Sequence, residues 1–269
     1  EMVAEIRRRI VGDERTDEPY LDLEAVTVAP ALAGGDTAHL FVVAEEPHSA
    51  ILELALPAER DGKRELPARL VSVHAYREKP EDQGAALNDG LEGLAYAGRP
   101  GVFYFAEEGT REHTGRPTGW LLFRDPLLGV GRLERGELVP DAERSAAMTE
   151  AVQALRQGPM QTLNGLARLR DGRVLALDRN GAWILVVDPE RGTARPWLNL
   201  HDMDGQDLRK LLAEFPGKRR MPYVSMEGLA VDPDGVLWLV DDPAMPEAFH
   251  NSCLIRILGV SVPTSGPGE

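Results

Sequence analysis

The sequence predicts an all-β protein, a β-propeller with four recognisable blade repeats and room for five or six blades. Three observations lead there. The first is internal repetition at long period, read before any single residue. Leu91-Glu92-Gly93-Leu94-Ala95-Tyr96, a Gly98-Arg99-Pro100-Gly101 turn and the run Val102 to Glu108 return as Leu163-Asn164-Gly165-Leu166-Ala167, Asp171-Gly172 and Val174 to Arg179. They return again as Met226-Glu227-Gly228-Leu229-Ala230, Asp234-Gly235 and Val236 to Asp242, and more loosely as Leu23-Glu24-Ala25-Val26-Thr27, Gly34-Gly35 and Leu40 to Glu46. The second is local chemistry: each copy is an apolar strand opening on an acid or amide, a tight Gly turn, and an apolar strand closing on an acid. The third is register. Facing residues of an antiparallel hairpin have numbers with a constant sum. Pairing Glu24 with Glu45, Glu92 with Glu107, Asn164 with Asp178 and Glu227 with Asp241 centres every hairpin on its turn residues. Four polar pairs are thereby expected at one edge of the fold.

Taken in order, Met2, Val3, Ile6, Ile10 and Val11 among charged neighbours suit a half-exposed edge strand over 2–11, expected to complete the last blade and close the ring. Blade one is expected at 23–29, 39–45, 50–56 and 68–76, and blade two at 91–97, 102–107, Trp120 to Phe123 and near 131–139. Asp141 to Gln157 has a capping Asp, apolar residues at helical spacing and a Gly158-Pro159 stop, which predicts a surface helix between blades. Blade three is expected at 163–169, 173–178, 182–187 and 194–200. A second short helix over 205–215 follows, with Leu208, Leu211, Leu212 and Phe215 on one face. Blade four then has strands at 226–231, 236–241 and 253–258, one fewer than the others. The 269 residues are read as one propeller domain.

Composition narrows the partners. A formal charge of -14 opposes nucleic acid and anionic membranes and favours cations or solubility, and a monomer is expected. No run approaches the roughly 20 apolar residues of a membrane-spanning helix. The single Cys253 excludes an internal disulfide framework and is read as a buried thiol. Glu1 rather than Met opens the chain, so a segment upstream of it is expected, and the sequence gives no reading for or against a signal peptide.

The run Asn88-Asp89-Gly90-Leu91-Glu92-Gly93-Leu94-Ala95 with Phe105-Ala106-Glu107-Glu108 resembles the phytase-like β-propeller domain, the esterase-like activity of phytase group. So do Gly165-Leu166-Ala167 with Gly172 to Arg179, and Met226 to Gly235 with Val240-Asp241-Asp242. The "Glu-Gly-Leu-Ala" strand is also similar to that of the SdiA-regulated propellers. The resemblance spans roughly residues 20–258. It implies a bacterial protein, often periplasmic or secreted, with calcium at acidic residues and hydrolysis of phosphoesters or esters. Asn164 stands where the other copies have Glu, Ala25 where they have Gly, and Arg179 follows Asp178, so the acids do not form a symmetric ring.

In a propeller the innermost strands line a central channel. Glu24, Glu92, Asn164 and Glu227, with Glu45, Glu107, Asp178 and Asp241, are therefore expected around one channel mouth. Oxygen ligands in a flexible site select calcium over zinc. The alternative for the same residues is hydrogen bonding to backbone amides of neighbouring blades, or contact with channel water. His48, His113 and His250 follow strand two in three copies, and His113, flanked by Arg111 and Arg116, is the candidate general acid or base. Lys218, Arg219 and Arg220 precede the fourth copy and, with Arg179, are candidates for holding an anionic small-molecule substrate. Asp202 to Asp207 lacks the residue count and terminal Glu of a calcium-binding helix-loop-helix and is read as helix capping. Nucleophile-elbow, phosphate-loop and zinc motifs are absent. Two functions remain: a calcium-dependent hydrolase, or a non-catalytic propeller that binds a ligand or protein.

Overall fold

The computed structural model describes residues 23–34, 37–44, 49–57, 68–76, 90–107, 111–113, 120–122, 127–155, 162–203, 208, 226–241 and 254–263. It is an all-β propeller. Blade one is β1 (Leu23–Pro30), β2 (Ala38–Ala44), β3 (Ala50–Ala55) and β4 (Arg69–Ala75), antiparallel in chain order. Blade two is β5 (Leu91–Tyr96), β6 (Val102–Glu107), β9 (Leu127–Glu134) and β10 (Glu137–Pro140). Between β6 and β9 the chain forms a separate hairpin, β7 (Arg111–His113) with β8 (Trp120–Leu122). Blade three is β11 (Leu163–Arg168), β12 (Val174–Asp178), β13 (Trp183–Asp188) and β14 (Thr193–Asn199). Blade four contributes β15 (Met226–Val231), β16 (Leu237–Asp241) and β17 (Leu254–Ile257).

Both faces of the middle blades are buried, which is why their strands read as continuous apolar runs. Alternate residues go to opposite neighbours. Phe103 and Phe105 pack toward Phe41, Val43 and Ile51 of blade one, with the Phe41 and Phe103 rings 4.8 Å apart. Tyr104 and Ala106 on the same strand pack toward Val174, Ala176, Leu185 and Val187 of blade three. Leu175, Leu177, Ile184 and Val186 in turn face Met226, Leu237 and Leu239 of blade four. Between blades four and one no such cluster forms among the described residues, and Val26, Val28 and Leu254 stand exposed there. Blades one and two also join at their outer edges, where β4 and β10 share a parallel bridge at Ala75 and Glu137.

The predicted helix is α1 (Ala142–Gln153), capped by Asp141, whose carboxylate accepts from Arg144 N at 3.2 Å. It buries Met148 and Val152 against blades two and three. Ser145 and Thr149, one turn apart, satisfy the backbone of β9 that β10 leaves unpaired. Ser145 Oγ accepts from Val130 N and donates to Val130 O, and Thr149 Oγ1 does the same for Leu128 N and O. The helix thus covers a sheet edge.

The structure corrects two expectations. Trp120 to Phe123 is not the third strand of blade two: Trp120–Leu122 pairs with Arg111–His113 instead. The third strand is β9, whose Leu128 and Val130 enter the core, and the expected strand near 131–139 is a hairpin turning at Arg135 and Gly136, both at positive φ. In blade one the register is one residue from that expected, with Ala25 rather than Val26 opposite Val43, and Glu45, the expected partner of Glu24, lies outside the described residues. The N-terminal strand over 2–11 lies outside the described residues, as does the second helix apart from Leu208, which is helical and buried.

A candidate site at the channel mouth

Each inner strand carries a β-bulge at its polar residue. The pairing shifts between Leu23 and Ala25, Leu91 and Gly93, Leu163 and Leu166, and Met226 and Gly228. Beyond the bulge, blades two to four keep the constant sum of the sequence reading: Gly93 faces Ala106, Leu166 faces Ala176 and Gly228 faces Val240. At the bulge the acid of strand two lies opposite the residue before the polar one: Leu91 faces Glu107, Leu163 faces Asp178 and Met226 faces Asp241. A bulge leaves one residue out of the ladder and re-aims its side chain. Glu24, Glu92, Asn164 and Glu227 consequently line one cavity of about 200 Å³ between the four inner strands.

The glycine after the polar residue sets how closely those strands approach. A Cβ on Gly93 would stand 2.4 Å from the Asn164 carbonyl oxygen, and one on Gly165 2.9 Å from Leu229 N. Only glycine allows backbones this near each other.

The polar side chains clasp neighbouring blades. Asn164 Nδ2 donates to Glu92 Oε2 at 3.1 Å, from blade three to blade two. Arg179 forms an ion pair with Glu227, from blade three to blade four. Tyr76, just after β4, donates its hydroxyl to Glu107, from blade one to blade two. Asp178 accepts from the backbone amides of Gly181 at 2.8 Å and Thr162 at 3.3 Å, which caps its own strand ends. The acids of strand two are thus engaged in structure: Glu107, Asp178 and Asp241 are buried.

Asn164 Oδ1 is different. The residue is 1% exposed, and this oxygen has no hydrogen-bond partner among the described residues. A buried acceptor without a donor is costly unless something fills the place. Among the described residues no three His, Cys, Asp or Glu side chains converge as metal ligands. The donors that do line the cavity are carboxylate and amide oxygens, which fit calcium in kind and not zinc.

His113 lies on β7 opposite Trp120, in the hairpin that follows β6. Glu45, His48, Lys218, Arg219, Arg220 and His250 lie outside the described residues. Sequence reasoning did not find the bulges or the Tyr76–Glu107 clasp. The polar residue before Gly in three of the four copies is the signal that would have suggested the former, whereas Tyr76 sits at a strand end with no motif around it.

A family model described as phytase-like, esterase-like activity of phytase, matches residues 4–243. No curated protein sequence matches the chain. Solved structures similar to it include the nidogen/laminin complex, at 16% identity and TM-score 0.39 over 76% of this chain and 52% of that one. Another is a luciferin-regenerating enzyme, at 15% identity and TM-score 0.41 over 88% of this chain and 64% of that one. The chain spans less than two thirds of the length of either.

Proposed function

We infer, because this chain belongs to the phytase-like family described by the esterase-like activity of phytase, that its channel mouth binds and hydrolyses a small anionic ester or phosphoester with the help of calcium. The observation that carries the reading is the buried Asn164 Oδ1, without a hydrogen-bond partner among the described residues, in a cavity also lined by Glu24, Glu92 and Glu227. Glu92 and Asn164 are the first residues that would hold the ion, then Glu24 and Glu227. Bound there, calcium would polarise a phosphoryl or carbonyl oxygen. The remaining work falls to the chain itself. Asn164 Nδ2 fixes the Glu92 carboxylate. Arg179, anchored on Glu227, directs its other N–H groups at an anionic substrate oxygen, with Lys218, Arg219 and Arg220 as further cations. His113 is the proposed proton carrier.

A second reading, a ligand-binding propeller without catalysis, is favoured by the clasps, which already engage Glu107 with Tyr76 and Asp178 with backbone amides. One experiment separates the two. Thermal melts with and without calcium are run on the wild type, Glu92→Gln and Glu227→Gln, beside assays on aryl phosphate and aryl carboxylate esters. The hydrolase reading expects a calcium shift that Glu92→Gln removes, and turnover that disappears with it. At calcium one hundred times its Kd the stabilisation is about 2.7 kcal/mol. No shift in the wild type sinks the metal site, and a shift without turnover of any ester selects the second reading.

A further inference from the structure

On the face opposite the acidic mouth, the turns of blades two and three enclose a second cavity of about 670 Å³, a size typical of small-molecule sites. Its floor is apolar, made by Val102, Val130 and the buried ring of Tyr104. Its rim holds five arginines and three acids, a cationic excess of two in a protein of formal charge -14.

The pairing within the rim is uneven. Arg173 is committed to Asp171, with two contacts at 2.6 and 2.9 Å. Arg191 stands 3.7 Å from Asp188. A single oxygen of Glu190 serves both Arg144, at 2.8 Å, and Arg99, at 3.8 Å, and the Arg99 contact is solvent-exposed on both sides. Arg168 has no acid partner among the described residues. Its guanidinium crosses from blade three onto the turn of blade two and lies where a Cβ on Gly98 would stand 2.8 Å from Cζ. Glycine at 98 leaves that path open. Burial pushes the Tyr104 phenol above its usual range, which Arg144 and Arg168 partly offset, so it stays a neutral O–H donor near neutral pH.

We propose that this cleft is a binding site for a small organic anion, separate from the channel mouth. The phosphate or carboxylate sits against Arg168 and Arg99, and an apolar, flat body lies over Val102, Val130 and Tyr104. Arginine suits the head group because its planar fork matches phosphate and carboxylate oxygens. The hydrophobic floor selects an aryl or alkyl anion over the bare ion.

Isothermal titration of the intact chain at constant ionic strength tests this, with phenyl phosphate, benzoate and inorganic phosphate as probes. Saturable binding of phenyl phosphate or benzoate, tighter than that of inorganic phosphate, is expected. Arg168→Gln changes an exposed residue and should weaken binding about tenfold or more, the usual effect of losing a charged hydrogen bond. Glu190→Gln should strengthen binding by releasing Arg99 and Arg144, a gain that misfolding does not mimic. Glu92→Gln should leave it unchanged. The proposal fails if no probe saturates, if Arg168→Gln and Glu190→Gln bind as the wild type does, or if Glu92→Gln abolishes binding, which would move the anion to the mouth.

Discussion

Gly93→Ala is the sharpest test of the seam between blades two and three. The added methyl would meet Asn164 O at 2.4 Å and Leu166 Cγ at 2.9 Å, where ordinary contact begins at 3.4 Å. Neither partner can swing aside: one is backbone of a buried strand, the other a buried core side chain. The inner strands must part by about 1 Å, which belongs at the top of the range for overpacking, about 3 kcal/mol. For a chain of this size that corresponds to a fall in Tm of roughly 6–12 °C. The same displacement pulls Asn164 from Glu92, so any calcium shift should shrink with it. Gly172→Ala is the control, with φ of +95° and nothing within 4 Å of the new Cβ. It carries only left-handed backbone strain, roughly 1–2 kcal/mol, and should melt between the wild type and Gly93→Ala. Calorimetry on the three proteins decides. If Gly93→Ala melts with the wild type, or below it by no more than Gly172→Ala does, the seam is looser than these distances state.

Blade one should be acid-sensitive. Burial lowers His74 below its ordinary 6.5, partly opposed by Glu53. Burial also raises Glu53, but hydrogen bonds from Ser72, Leu32 N and His39 outweigh it and hold its carboxyl below 4.5. In both cases the unfolded chain binds the proton more readily, so stability is full above the unfolded pKa and is lost as pH falls through the folded one. Melting temperature should fall as pH drops below 6.5 and again below 4.5, and His74→Gln should flatten the first step alone; a rise on acidification past 6.5 would contradict the assignment. Thr149→Val removes the hydroxyl that satisfies both Leu128 N and Leu128 O and should cost about 1–3 kcal/mol. Ser145→Ala should cost less, because it orphans Val130 N alone while Val130 O keeps the Asp141 amide at 2.8 Å, and unchanged melts in the double variant would show that water replaces both hydroxyls.

Strand positions were legible wherever burial on both faces makes a strand a short apolar run between turn residues. All four strands of blade three start and end within about one residue of expectation, because Asp171-Gly172 and the glycines at 181 and 192 punctuate them. Blade two misled at Trp120-Leu121-Leu122-Phe123, which is as apolar as β9 and nearer to β6 in sequence. What distinguishes β9 is tertiary: its Leu128 and Val130 meet Met148 and Val152 of α1, and Ser145 and Thr149 close its free edge. No local pattern in 120–134 carries that information.

The site was legible as a location and not as a set of bonds. Counting residues across a hairpin placed each polar residue beside an acid and so implied four polar pairs in corresponding places. The bulge in every inner strand removes that equivalence, because it takes the polar residue out of the ladder and leaves it to meet the next blade. Repeated glutamates aimed at one cavity would then repel, since neighbouring carboxylates disfavour each other's ionisation. The two departures from the repeat in blade three answer this directly. Asn164 supplies an N–H donor to Glu92 where a fourth glutamate would have faced it, and Arg179 supplies a cation to Glu227. Blade three is therefore the donor blade of the mouth, serving an acid on each side. The oxygen of Asn164 that this arrangement leaves without a partner among the described residues is a consequence of the same substitution, since an amide that gives its N–H to Glu92 must leave its carbonyl for something else.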